Sequence, residues 1–338
     1  MSSILYRPFE NTDVPGIVRV WNQASRFAGL RRPIDTLLFD AVVLSKPYFR
    51  REDFIVAVDT ASESTFSHDG RVIGFIHGGY APNAALDNVD YAKGYIAMFL
   101  GEHAENQTEV ATRLLREMEQ AFLRQGVRDL YAGAVYPNAP FYMGLLSGGE
   151  LYGFLESDPL VPYVLQKNQF YAQSRYHLFR IALAGYRVRM NRFILQMQRQ
   201  YQIVENVNPR PDNWWDAWAL ATFQWRRFEL IHRETQEVCA TVIVRRLESS
   251  IQQEWGTRIG MHHLNVKPEY RHQGMARFFV GNVLQILARE KIGFAELQIS
   301  EDNVRAISAF EDLQFERFAT GVVYHKETEM PEKEVPKE

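Results

Sequence analysis

The sequence predicts a two-domain protein of mixed α/β (α+β) class, in which one strand–turn–helix unit occurs twice. Three observations predict it. The first is size: 338 residues with 46% hydrophobic composition exceed the ~100–200 residues that one domain usually holds. The second is an internal repeat, since 276 − 111 and 303 − 138 both give 165, placing Ala111 on Ala276 and Asn138 on Asn303. The third is pattern. Short apolar runs bounded by turn residues are followed by segments with helical spacing, in the same order in both halves.

Taken in order, a helix is expected near "DVPGIVRVWNQA" and a second near "PIDTLLFDAVVL". Two β-rich runs follow, "DFIVAVD" and "RVIGFIHGGY", and the polar tip "TASESTFSHDG" between them reads as a hairpin loop. The strand "YIAMFL" leads through the turn "GEHAENQTEV" into a helix with Leu114, Leu115, Met118, Phe122 and Leu123 on one face and Gly126 as its stop. A strand "DLYAGAVYPN" ends at Asn138. "APFYMGLLSGGELYGF" is broken by Gly148 and Gly149, and the strand "SRYHLFRIAL" closes a first domain, residues 1–185. The helix "VRMNRFILQMQRQY" connects the halves, with Met190, Ile194, Met197 and Tyr201 on one stripe; its arginines read as a solvated face rather than a nucleic-acid contact.

The second domain, residues 186–327, carries "NWWDAWALATFQW", the hairpin strands "FELIH" and "VCATVIV", and the strand "MHHLNV". A helix with Phe279, Val283, Ile286 and Leu287 and the strand "FAELQISEDN" follow. Trp214, Trp218 and Trp225 fall on one helical face and read as core, whereas Trp215 lies off that stripe, toward an acceptor pocket. Residues 328–338, "TEMPEKEVPKE", are charged and Pro-bearing and are expected to be disordered.

Several classes are excluded. A net charge of −3 with 23% charged residues gives no basic field for nucleic acid or acidic lipid. One cysteine, Cys239, supports neither a disulfide framework nor a structural zinc site, and suits a reducing compartment; inside an apolar strand it reads as a small hydrophobe. His232 and His325 have no partner at metal-ligand spacing, so no metal is expected. "MSSILYRPFENTD" lacks a signal-peptide layout and no apolar run approaches ~18 residues, so a cytoplasmic protein without a membrane partner is expected.

Chemistry concentrates in "NVKPEYRHQGMARF", residues 265–278. A strand, a turn with unobstructed amides and a helix N-terminus make an anion site, because first-turn N–H groups lack intrahelical acceptors and the helix dipole adds positive potential. Gly274 lets an anion approach the backbone, Ala276 keeps the first turn slim and Arg271 adds a cation.

At these residues the sequence resembles the GNAT acetyltransferase superfamily, whose signature here reads Val266, Pro268, Tyr270, Arg271, Gly274 and Ala276. A second family feature, an Asn after the next strand and then a helix closing on "L-G-F", reads Asn303, Ala306, Ile307, Phe310, Leu313 and Phe315, with Gln314 in place of the Gly. The resemblance covers residues ~200 to 327 well and the first half by element order. It implies two tandem GNAT-like domains, each a mixed, mostly antiparallel sheet with a splayed central strand pair. Acetyl-coenzyme A would lie in the gap, its pyrophosphate on the turn Arg271, His272, Gln273, Gly274, Met275 and Ala276. Asn303 would meet the pantetheine arm, and the strand at Leu264 and Val266 would face the thioester. The layout is similar to tandem members such as mycothiol synthase.

In the first half the same offset puts Asn106, Glu109 and Ala111 where Arg271, Gly274 and Ala276 stand. A carboxylate facing a diphosphate predicts a first domain that keeps the fold and lacks the cofactor.

An alkylammonium acceptor, with a pKa of about 10.4, must lose a proton before its nitrogen attacks. His262 and His263 alternate faces on the central strand. His262, four residues before Val266, is the candidate base; a bulge would transfer that place to His263. Glu296 on the next strand is the second candidate base. The family's frequent general acid, a Tyr seven residues after the Asn, is Phe310 here, and Tyr324 on the last strand is a possible substitute. The reading is an N-acetyltransferase acting on the amine of a small molecule or peptide. Its alternatives are a non-catalytic binding or sensor protein and an aminoacyl-tRNA-dependent transferase. The acceptor and the oligomeric state are not encoded in loop composition.

Overall fold

The computed structural model describes residues 4–28, 30–62, 69–102, 104–138, 141–220, 225–247 and 258–327. The expected tail, 328–338, and most of the hairpin tip at 60–70 lie outside them. The first half runs β1 (Ile4–Pro8), α1 (Val14–Ala28), α2 (Thr36–Phe39, continued by a π-helical turn to Leu44), β2 (Phe54–Asp59), β3 (Arg71–Pro82), β4 (Val89–Gly101), α3 (Gln107–Arg124), β5 (Asp129–Ala132), β6 (Phe154–Leu155), α4 (Val161–Lys167) and β7 (Tyr171–Ala182). The second runs α5 (Arg192–Gln200), β8 (Tyr201–Val207), α6 (Trp214–Leu220), β9 (Trp225–His232), β10 (Val238–Leu247), β11 (Arg258–Val266), α7 (Met275–Arg289), β12 (Phe294–Ser300), α8 (Val304–Asp312) and β13 (Glu316–Glu327).

Local chemistry explains the boundaries. The Asp35, Asn191 and Asn303 side chains accept from the amides of Leu38, Ile194 and Ala306 and so cap α2, α5 and α8. Val110, Ala111, Leu114, Leu115, Met118 and Phe122 bury one face of α3. The repeat is visible in the backbone: α3 is followed by Gly126 at φ 82 and α7 by Lys291 at φ 63, and these left-handed stops are 165 residues apart.

All thirteen strands form one mixed, mostly antiparallel sheet in the order β1-β2-β3-β4-β5-β13-β7-β12-β11-β10-β9-β8, with β6 pairing β13. The sheet does not stop at Gly185. β7, which closes the first half, pairs Phe294–Ser300 of β12, and β13, which closes the second, pairs Asp129–Ala132 of β5. Each half therefore completes its sheet with the other's last strand, and β7 and β13 pair with each other between them. In each half one parallel pair splays: β4 meets β5 only over Lys93–Ile96, and β11 meets β12 only over Arg258–Gly260.

Some elements differ from expectation. β5 stops at Ala132, six residues short of Asn138, because Gly133 turns at φ 85 where an added Cβ would lie 2.8 Å from the Gly153 Cα. Trp225 opens β9 instead of extending a tryptophan helix; Trp215 is fully buried and its indole N–H donates to the Pro137 carbonyl, whereas Trp214 is exposed. The stripe of the connecting helix holds for Ile194, Met197 and Tyr201, but Met190 precedes α5 and is exposed. Cys239 is buried.

Candidate functional site

The site begins with a bulge. Thr241 pairs with Asn265 and Ile243 with His262, so His263 and Leu264 together oppose Val242. His263 takes up the extra residue at φ 51. The bulge expected to transfer the base's place to His263 is therefore present, but it leaves the His263 side chain 37% exposed while His262 is the ring that is buried.

Both rings meet one carboxylate that sequence reasoning missed. Glu150 Oε1 lies 3.0 Å from His262 Nδ1 and 3.6 Å from His263 Nε2. Glu150 arrives on a loop of the first half in which every residue from Phe141 to Glu150 is buried. Gly144, Gly148 and Gly149 supply positive φ there, and the loop is tied down by Arg32 N–H to the Leu145 carbonyl and Ser147 N–H to the Leu30 carbonyl. From the second half, Gln298 Nε2 donates to Glu150 Oε2 (3.3 Å) and to the Leu151 carbonyl (3.0 Å). The one available signal was a carboxylate inside the otherwise apolar, Gly-rich run "MGLLSGGELYGF".

The electrostatics separate the two histidines. Burial holds His262 below the ordinary imidazole value despite Glu150 beside it, so the ring is neutral near pH 7. Burial also opposes charge on His263, but Glu150 and then Asp216 outweigh it and raise its pKa. Burial alone would raise the Glu150 carboxyl; the adjacent histidines hold it well below the usual carboxylate range. His262 Nε2 is buried with no hydrogen-bond partner among the described residues and lies over Gly260, where an added Cβ would come within 2.6 Å of it.

The other two candidates are placed differently. Glu296 is fully buried, and Oε1 accepts from Arg180 Nε at 2.7 Å and Arg258 Nη1 at 3.1 Å. Its Oε2 accepts the Gly148 N–H at 2.9 Å, so this carboxylate anchors the loop that delivers Glu150. A carboxylate with both oxygens committed to buried donors is a positioning group rather than a free base. Tyr324 lies on β13 opposite Ala132 and packs in the first half's core with Phe122 and Leu130, where burial raises its pKa. The structure does not bring it to the histidines.

The turn before α7 has the form expected of an anion cradle. Gly274 is the N-cap at φ 72, a left-handed conformation that favours glycine. Among the described residues, turn and loop hydrogen bonds use none of the N–H groups from His272 to Arg277. Arg271 Nε clamps the Val266 carbonyl at 2.7 Å and Gln273 Nε2 the Glu269 carbonyl at 3.0 Å, fixing the loop's shape. Leu264 and Val266 lie beyond the last β11–β12 pair, so their strand borders the splayed gap. Asn303 spends its side-chain oxygen on the Ala306 amide as the α8 cap. Gln314, where the family usually has Gly, takes φ 69. These residues fit acetyl-coenzyme A: free amides and a left-handed Gly for a pyrophosphate, and an unpaired strand edge for an amide-bearing arm.

In the first half the turn is absent for a reason other than the one expected. α3 has 18 residues against 15 in α7, and both end at matching positions, so α3 begins three residues earlier relative to the repeat. Gln107, Thr108 and Glu109 coil as helix where His272, Gln273 and Gly274 form the loop. Glu109 is exposed, near Tyr6 and Arg113, and does not line the cavity of about 240 Å³ bordered by Phe99, Asn106, Gln107 and Ala111. An added helical turn, not a misplaced carboxylate, removes the loop.

Among the described residues no His, Cys, Asp and Glu group of three or more is placed to hold a metal ion, and no helix is long and apolar enough to cross a membrane. Among curated proteins none matches the chain. Residues 193–315 match the model of the acetyltransferase (GNAT) family. Three solved structures are similar over 96% of this chain. A tandem GNAT protein from the clavulanic acid biosynthesis pathway, solved without AcCoA, is 13% identical with a TM-score of 0.67 and 98% of its chain covered. The glucosamine N-acetyltransferase region of a fungal multi-domain GH3 β-N-acetylglucosaminidase is 12% identical with a TM-score of 0.67, and 38% of that chain is covered. A GCN5-related N-acetyltransferase from Sphaerobacter thermophilus is 12% identical with a TM-score of 0.62 and 95% covered. The splayed strands and the duplicated order of elements thus go with the fold of these tandem GNAT proteins, and residues 193–315 are similar to the acetyltransferase (GNAT) family.

Proposed function

We propose that this protein is an N-acetyltransferase that moves an acetyl group from acetyl-coenzyme A to the amine of a small molecule or peptide. The catalytic unit is residues 186–327, and the first half, 1–185, contributes Glu150. The observation that carries the reading is the Glu150–His262–His263 cluster beside the splayed β11–β12 gap. When bound, acetyl-coenzyme A supplies an activated thioester carbonyl. The amides of 272–276 would hold its phosphates, and the bulged strand at Leu264 and Val266 would border the carbonyl oxygen.

His262, neutral and with Nε2 unengaged, takes the proton of the acceptor ammonium directly or through one water. Glu150, against Nδ1, orients the ring and stabilises the imidazolium that forms. His263, whose pKa Glu150 and then Asp216 raise against the effect of burial, is placed to return a proton to the leaving thiolate, for which Phe310 offers no group. Two imidazoles that share one carboxylate, separated because burial outweighs it at His262 and not at His263, define the base and the acid. Calorimetric titration with acetyl-coenzyme A, combined with thiol release in an amine screen, tests the reading. One site per chain with amine-dependent release supports it. Binding without release for any amine favours a non-catalytic protein, and no binding removes the reading altogether.

A further inference from the structure

The cluster continues into a group of buried polar side chains between the halves that the proton-transfer scheme does not use. Arg245, on β10, is 0% exposed, and Nε, Nη1 and Nη2 all lack a hydrogen-bond partner among the described residues. It pairs across the ladder with Gly260, two residues from the Ile243–His262 pair, so Arg245 and His262 project from the same face of the sheet. At Gly260 the missing side chain admits the Gly148 carbonyl oxygen and His262 Nε2, which lie 2.4 Å and 2.6 Å from where its Cβ would stand. Lys46 of the first half is also buried, donates to the Trp218 carbonyl at 3.0 Å, and is held down to about 8 by burial and by the nearby Arg245 charge. Asp216 Oδ1 and Trp218 Nε1, on α6, are buried without partners as well.

A fully buried guanidinium with no acceptor is costly, and buried charges are retained where they are paired. Glu150 acts on Arg245 electrostatically; its Oε2 accepts from Gln298, while its Oε1, 3.0 Å from His262 Nδ1, makes no well-formed hydrogen bond among the described residues and none to Arg245. Arg245 and Lys46 bring two cationic side chains together in this interior, an arrangement that suits an anion. The planar fork of an arginine matches a carboxylate bidentately.

We propose that Arg245 binds the carboxylate of the acetyl acceptor, which is therefore an amino acid or a related compound carrying both an amine and a carboxylate. This rests on the acetyltransferase reading for the role of the amine. Two residues of strand, roughly 7 Å, separate the backbone positions of Arg245 and His262, which favours acceptors whose two groups lie a few bonds apart.

The test compares glycine, β-alanine and 4-aminobutyrate with methylamine, ethylamine and propylamine, in the wild type, Arg245→Met and Arg245→Lys. In the wild type at least one amino acid should exceed its decarboxylated partner by about 100-fold in kcat/KM. Arg245→Met should bring that ratio close to one and leave the simple amine within a few-fold. Because it removes a buried unpaired charge, Arg245→Met should melt no lower than the wild type. A separate readout needs no acetyl transfer: propionate should raise the wild-type melting temperature and not that of Arg245→Met. A ratio near one in the wild type, an equal loss on both substrate sets, or a response to phosphate in place of propionate overturns the proposal. Amine acetylation without carboxylate preference would sink this inference alone. An Arg245-dependent propionate shift without acetylation would sink the acetyltransferase reading alone.

Discussion

Glu150, on a buried loop of the first half, stands 3.0 Å from His262 Nδ1 on the central strand of the second. The candidate site therefore belongs to neither half by itself. The β7–β13 strand exchange makes that contact rigid, because the loop carrying Glu150 lies between β5 and β6, both paired with β13.

Glu150→Gln should lower kcat/KM about 100-fold while acetyl-coenzyme A binding is retained. The sign of the pH effect follows from the charge removed. Glu150 raises both histidines, so without it both pKa values fall, and both limbs of the pH–rate profile should move to lower pH. A profile that keeps its position would remove the carboxylate from proton transfer.

Glu296→Gln should act on stability first. Removing one partner from a buried pair costs ~3–5 kcal/mol, and here Arg180 and Arg258 lose their counter-charge while the one oxygen left can serve either them or the Gly148 N–H, the other side facing an NH2 donor. A clear fall in melting temperature is expected, with the surviving activity keeping its pH dependence. Loss of the acidic limb at unchanged melting temperature would instead make Glu296 the base.

Gly274→Glu should abolish acetyl-coenzyme A binding in calorimetry. A left-handed φ costs a side-chain-bearing residue roughly 1–2 kcal/mol, and the new Cβ would sit 3.0 Å from Phe193 Cζ. The carboxylate would add repulsion to the phosphates. In contrast, Glu109→Ala should leave one site per chain, because Glu109 is exposed and the first half has helix in place of the loop. A second site in either protein would restore the first half as a cofactor domain.

His77 should set part of the acid sensitivity. It is fully buried among Phe54, Phe141 and Tyr142, and burial pushes its pKa down to about 3. The unfolded chain binds the proton near 6.5, so between those values U holds more protons than N and stability falls as pH falls. The loss amounts to roughly 4 kcal/mol by pH 3. Urea titrations from pH 7 to 4 should show a shallower decline for His77→Gln than for the wild type, and parallel declines would exclude His77 as the source.

What the amino-acid sequence determined by itself was local. The left-handed Gly274, the first-turn amides, the Asn303 cap and the periodic faces of α3 and α7 arise from neighbouring residues, and they were legible as spacing. The bulge alternative at His262 and His263 was legible for the same reason. Only the tertiary structure decided which strands close which half, that Glu296 is bound by arginines, that Tyr324 belongs to the first half's core, and that Glu150 and Arg245 share the interior. Those depend on partners as far apart as Arg258 and Glu296, 38 residues, and Asp129 and Glu327, 327 − 129 = 198 residues. No periodicity encodes such pairings, because they are selected by burial and charge compensation across the whole sheet.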